Sequence, residues 1–177
     1  MKKTILISIL FCLLSFPILV NAEHLFLGPS DFALKKSHTD AVITTEAIYI
    51  ESWSIDNSFT FSAPVHLPEG ANIKAMAIFF KDNQSTARID VEMIRHNRYQ
   101  GTTQTIIPKL TPPWSTTDGA ADLRNYKISY ITTAYSKIYN GSFTYHVKID
   151  FVATGGTFSW SDLKLYGIKI FYDPPTP

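Results

Sequence analysis

From Tyr145 to Ala153 the chain reads YHVKIDFVA, and every second side chain is large and apolar. Successive side chains of an extended strand point to opposite faces. Tyr145, Val147, Ile149 and Phe151 therefore share one face, and His146, Lys148 and Asp150 share the other. A helix would scatter both sets around its surface, so this stretch commits the chain to a sheet with one buried side. ARIDVEMI repeats the pattern, with Ile89, Val91 and Met93 set against Arg88, Asp90 and Glu92.

Further strands follow from β-branched and aromatic content over residues 41–52, 59–63, 72–80, 102–110, 126–133 and 163–172. Between the strands lie turn signals. KDNQS (Lys81–Ser85) and YNGS (Tyr139–Ser142) read as hairpin turns, and ATGGT (Ala153–Thr157) as a flexible one. In HLPEGA, Pro68 fixes its own φ and Gly70 permits a positive one, which suits a tight corner between two strands. No stretch reads as a helix. The expected fold is all-β: an antiparallel β-sandwich, jelly-roll-like, of about eight strands.

The first 22 residues stand apart. Lys2 and Lys3 precede an apolar run from Thr4 to Val20, and Val20-Asn21-Ala22 offers a small-residue exit. This is the layout of a secretory signal cut after Ala22. The expected organisation is a signal peptide at 1–22 and one sandwich domain at 23–177, exported to the periplasm or the exterior, with no membrane insertion after cleavage. Cys12, the one cysteine, leaves with the signal, so no disulfide can form and stability must come from burial. Lys2 and Lys3 leave as well, taking 16 basic residues to 14 against 15 acidic, a net charge of −1. A chain so nearly neutral has no electrostatic reason to bind nucleic acid. RHNR (Arg95–Arg98), its one basic cluster, reads as a solvated loop.

The pattern APVHLPEGANI, then DNQS, then IDVEMIR, then a closing LYGIKIFY resembles a group of bacterial secreted proteins with an "aPVxLPxGAxI…DN…R…lyGvxIxY" signature. The resemblance spans Ser62 to Tyr172 and implies a single β-sandwich domain. It carries over no catalytic residues.

Catalytic templates are missing from the sequence. There is no zinc-binding His-Glu-x-x-His, no nucleophile elbow and no phosphate loop. Asp90, Glu92 and Asp150 occupy outward strand positions, where solubility alone accounts for them. His66, beside the corner, and His146, on a wet strand face, read as surface histidines. The expectation is therefore no catalytic residue, no metal and no cofactor, with a structural calcium near Asp118 and Asp122, or at Asp82 with Asn83, as the weaker alternative.

Two features suggest binding instead. Trp114 follows Pro112-Pro113 in a loop that also holds Asp118, and a rigid exposed ring beside polar groups suits a sugar or a surface receptor. Second, NIKAMAIFF and LKLYGIKIFY are apolar on both sides, whereas a lone sandwich wets its outer faces. Met76, Ile78, Phe80, Tyr166, Ile168 and Ile170 are expected to form an interface between copies of the chain, a cyclic trimer by analogy with other jelly rolls, with cover of one face by a loop or by the N-terminal segment Glu23–Ser37 as an equal alternative. The functional expectation is a secreted, non-enzymatic module acting by self-association or binding. The alternative is a lectin-like module using the Trp114 loop, and a small secreted hydrolase ranks last.

Overall fold

The computed structural model describes residues 22–35, 41–50, 58–82, 87–111, 124–128, 131–153 and 163–175. Among these described residues eleven strands appear in order: β1 (Glu23–Leu27), β2 (Ala33–Leu34), β3 (Ala41–Ile43), β4 (Ile48–Ile50), β5 (Ser58–Val65), β6 (Asn72–Asp82), β7 (Ala87–Asn97), β8 (Thr103–Leu110), β9 (Arg124–Ile128), β10 (Phe143–Ala153) and β11 (Leu163–Asp173). They form two antiparallel sheets. One runs β3-β4-β11-β6-β9, with β1 also on β11, and the other runs β2-β5-β10-β7-β8. The last eight strands thus divide as 4-11-6-9 and 5-10-7-8, the two interlocked Greek keys of a jelly roll.

The alternating residues build the interior. Tyr145, Val147, Ile149 and Phe151 are buried, as are Ile89, Val91 and Met93 from β7 and Phe59, Phe61, Ala63 and Val65 from β5. Phe61 and Phe151 meet edge to face with ring centroids 5.5 Å apart. Each such side chain contributes about 1.5–3 kcal/mol when fully buried. The corner after β5 is built as its residues require: the Ala71 amide donates to the Pro68 carbonyl at 3.1 Å, and Gly70 sits at φ 81°.

Several local expectations are corrected. The run 41–52 contains a turn: the Thr44 hydroxyl accepts from the amides of Glu46 and Ala47, folding the segment into β3 and β4. Lys81–Ser85 does not join a hairpin, because β6 and β7 lie in different sheets. The Asn140-Gly141 turn does not close a hairpin either. The segment before it, Ser136–Ile138, hydrogen-bonds to the β5–β6 corner instead of to β10. Arg95 is no loop residue: it points inward from β7, its guanidinium 4.3 Å from the Tyr135 ring centroid and 4.2 Å from that of Phe143. Its Nε donates to Gln104 Oε1 at 2.7 Å, and no carboxylate among the described residues pairs with this buried cation.

The doubly apolar strands have an internal explanation. Met76, Ile78, Phe80, Ile168 and Ile170, expected at an interface between copies, are buried in the core of the single chain. A register shift at Gly167 turns Leu165 and Ile168 both inward, leaving Tyr166 on the outside. The opposite side of β6 carries small Ala75 and Ala77 beside Phe79, and Phe26 from β1 packs on Phe79 at 6.1 Å. Phe26 of the N-terminal strand shades that face.

Candidate functional site

The outward face of the five-stranded sheet collects the polar chemistry. Register aligns it across strands: Pro64, His146 and Ile94 are neighbours, as are Thr60, Asp150 and Asp90. His96 stands opposite Thr144 on one side and Thr103 on the other, and Glu92 opposite Lys148. The face thus has a carboxylate end and a histidine end.

At the carboxylate end, Asp90 and Asp150 are only 2% and 7% exposed. Lys109 Nζ lies 2.7 Å from Asp150 and 3.4 Å from Asp90. Thr60 donates to Asp150 at 2.6 Å, Thr111 donates to Asp90, and Arg88 Nε lies 3.1 Å from Asp90. Lys148 holds Glu92 at 2.8 Å and reaches Asp150 at 3.6 Å. Burial pushes the Asp150 carboxyl up, but the Lys109 and Thr60 hydrogen bonds and the nearby ammonium charges outweigh it and hold the group below the usual carboxylate value. The Lys109 ammonium is raised in turn, first by its bond to Asp150. Solubility alone does not account for these acids. They form an ionic lattice in which Lys109 bridges Asp90 and Asp150 and Lys148 bridges Glu92 and Asp150.

At the histidine end, two shallow depressions share Thr144 and His146 as a common wall. The larger, about 250 Å³, is lined also by Lys35, Ser62, Ile94, His96 and Thr103. The smaller, about 90 Å³, is bordered by His66, Arg98, Asn140 and Phe143. His96 Nδ1 lies 3.2 Å from Thr103 Oγ1. The His146 imidazole is pushed below its ordinary value, first by burial and then by the charges of Lys35, His96 and His66. The rim is the β7–β8 hairpin. Asn97 Oδ1 accepts from the amides of Tyr99 and Gln100, and Gly101 at φ 65° closes the turn. This turn presents Tyr99, 81% exposed, beside Arg98. The Tyr99 hydroxyl reaches the Gly141 carbonyl at 3.4 Å, and Asn140 Nδ2 anchors the facing loop on the Leu67 carbonyl at 2.9 Å.

Of the sites expected from sequence, Trp114 and Asp118 lie outside the described residues, as does the Asp122 and Asn83 chemistry considered for calcium. Tyr166 borders a separate depression with Thr44, Glu46, Tyr49 and Lys164. Among the described residues no group of three or more His, Cys, Asp or Glu side chains could hold a metal ion. His66, His96 and His146 converge, which their positions in the sequence do not reveal. The signal was present in part, since His96 and His146 each fall on the outward side of an alternating strand. Only the order β5-β10-β7-β8 makes them neighbours.

No protein-family model matches the chain, and no curated protein matches it. Among solved structures it is similar to the xylan-binding module CBM15, at 8% identity over 88% of this chain and 100% of that one, with a TM-score of 0.47. It is also similar to a family 11 carbohydrate-binding module from Clostridium thermocellum in complex with a β-1,3-1,4-mixed-linked tetrasaccharide, at 9% identity, 86% and 98% coverage and a TM-score of 0.47. A third likeness is to infectious bursal disease virus, Gx strain, at 10% identity, 86% and 31% coverage and a TM-score of 0.42.

Proposed function

We propose that this chain is an exported, non-catalytic module that binds carbohydrate on the outward face of its five-stranded sheet. The observation that carries this reading is the histidine-end groove. Ser62, Thr103 and Thr144 line its larger depression with His96 and His146, His66 and His146 border the smaller one, and the hairpin that brings Arg98 to that wall carries the exposed ring of Tyr99. A sugar presents dense hydroxyls around an apolar C–H face. Hydroxyl and neutral imidazole side chains can each both donate and accept, and a tyrosine ring supplies the apolar platform. Each element of the groove answers one part of that chemistry. Self-association loses its support, because five of the six side chains assigned to it are committed to the core. A hydrolase reading loses its own, because the paired acids are bridged by Lys109.

A glycan array probed with the mature chain and with Tyr99→Ala tests the proposal. Retention on at least one glycan class, lost or weakened about tenfold in the variant, is expected from the ~1–3 kcal/mol scale of aromatic stacking contacts. Equal retention by both proteins, or none by either, would overturn it.

A further inference from the structure

Apart from the Tyr145 phenol, every ionisable group lining the two depressions is a cation or can become one. Lys35 comes from the end of β2, His66 from just beyond β5, His96 from β7, His146 from β10 and Arg98 from the β7–β8 hairpin. Among the described residues no carboxylate lines either depression. Among the described residues, Lys148 holds Glu92 and Lys109 holds Asp150, while Glu69 accepts the Asn140 amide at the edge of the smaller depression. The chain as a whole is almost neutral, so this concentration of positive groups is local.

Resting on the carbohydrate reading above, we infer that the groove selects acidic sugars, those bearing a carboxylate or sulfate, and grips them more tightly as the medium becomes mildly acidic. The groups facing His146 are Lys35 just past β2, His66 just past β5, His96 from β7, Arg98 from the β7–β8 hairpin and Thr144 on its own strand. Lys148, two residues on, is neutralised by Glu92. An empty groove thus opposes a proton on His146, through burial and through its cationic neighbours. An anion placed against His146, beside Lys35 and His96 in the larger depression or Arg98 and His66 in the smaller, reverses the second cause. The imidazole takes up a proton as the ligand binds, and a neutral contact becomes a charge-assisted one. By linkage, the same proton strengthens ligand binding. Ser62, Thr103 and Thr144 then meet the uncharged hydroxyls of the same sugar.

The test is affinity electrophoresis of the mature chain at physiological salt through polygalacturonate, alginate and heparin, each beside neutral polymers: methyl-esterified polygalacturonate, xylan and mixed-linkage glucan. Runs at pH 5.5 and pH 8.0 are compared. The expected result is retardation by at least one acidic polymer, about tenfold stronger at pH 5.5 than at pH 8.0. The pH dependence should shrink in His146→Gln, with near-ultraviolet circular dichroism confirming the fold. Retardation by neutral polymers alone, or acidic binding that ignores pH, would overturn this inference and leave the carbohydrate reading standing. No retardation by any polymer would overturn both.

Discussion

The ring of Phe26 lies directly on Gly167: a Cβ added to that glycine would come within 2.6 Å of Phe26 Cζ and 2.8 Å of the Leu27 carbonyl oxygen. Gly167 also sits at φ 153°, where a side chain is strained. It is the residue at which β11 shifts register so that Leu165 and Ile168 both face inward. One glycine therefore permits the bulge, the close approach of β1 and the cover over Phe79.

Gly167→Ala is accordingly expected to destabilise the fold by about 2–3 kcal/mol. Phe26, 53% exposed, can swing aside, but the Leu27 carbonyl cannot move without disturbing the β1–β11 pairing. Chemical denaturation checks this. Adding Phe26→Ala should recover only a small part of the loss, and full recovery would mean that the ring alone creates the constraint.

Lys109 is the counter-ion shared by two buried acids. Its own side chain is 47% exposed, so its loss is felt chiefly through what it leaves behind. Lys109→Met should cost about 2 kcal/mol at pH 7, with Arg88 and Lys148 still offsetting part of the repulsion. The pH dependence has a definite sign. In the wild type the Asp150 pKa is depressed, so its contribution is present above the ordinary value of 3.8 and is lost as pH falls through the folded value. In the variant the foremost lowering influence is gone while burial remains, so a carboxyl takes up a proton more readily. The stability gap between the two proteins should therefore narrow from pH 7 towards pH 4 in urea titrations.

Strand positions were legible in the sequence wherever alternation was strict, as in Tyr145–Phe151, and the Pro68–Ala71 corner was legible from φ requirements alone. Strand order was not. Asn83 looks like the tip of a hairpin only if β6 and β7 are neighbours, and sequence proximity cannot say that a jelly roll sends them to opposite sheets. Period-two logic also failed at Gly167, because a bulge moves every later side chain to the other face. That shift made core residues Ile168 and Ile170 look like partners of Tyr166 on an outer surface. The groove was hidden for the same reason: His96 and His146 lie on two strands, and His66 just past the end of a third, that meet only through long-range pairing.

Arg95 offers a separate check on the core's polar end. Its guanidinium lies over two aromatic rings and donates in-plane to Gln104. A lysine keeps the charge but not the flat, weakly hydrated surface or the directed Nε bond. Arg95→Lys should lower stability by about 1–2 kcal/mol. Double-mutant cycles with Tyr135→Leu and Phe143→Leu should show positive coupling to both rings. Strict additivity would mean that the stack is geometric only.

His146 makes the fold itself sensitive to mild acid. Its folded pKa lies below the ordinary 6.5, with burial as the main cause and the charges of Lys35, His96 and His66 behind it. The unfolded chain then binds more protons than the folded one as pH drops through this range, so stability must decrease with falling pH. The loss begins near pH 6.5 and is complete once the folded imidazole is itself protonated. Asp150 contributes nothing in this window, because its titration lies below 3.8. His146→Gln keeps a half-buried polar side chain without the titration, so its unfolding midpoint should change less between pH 7.5 and pH 5 than that of the wild type. An acidic ligand in the groove should flatten the wild-type slope in the same way, by supplying the negative charge that the empty site lacks. Parallel slopes for wild type and variant would show that the acid sensitivity arises elsewhere in the chain.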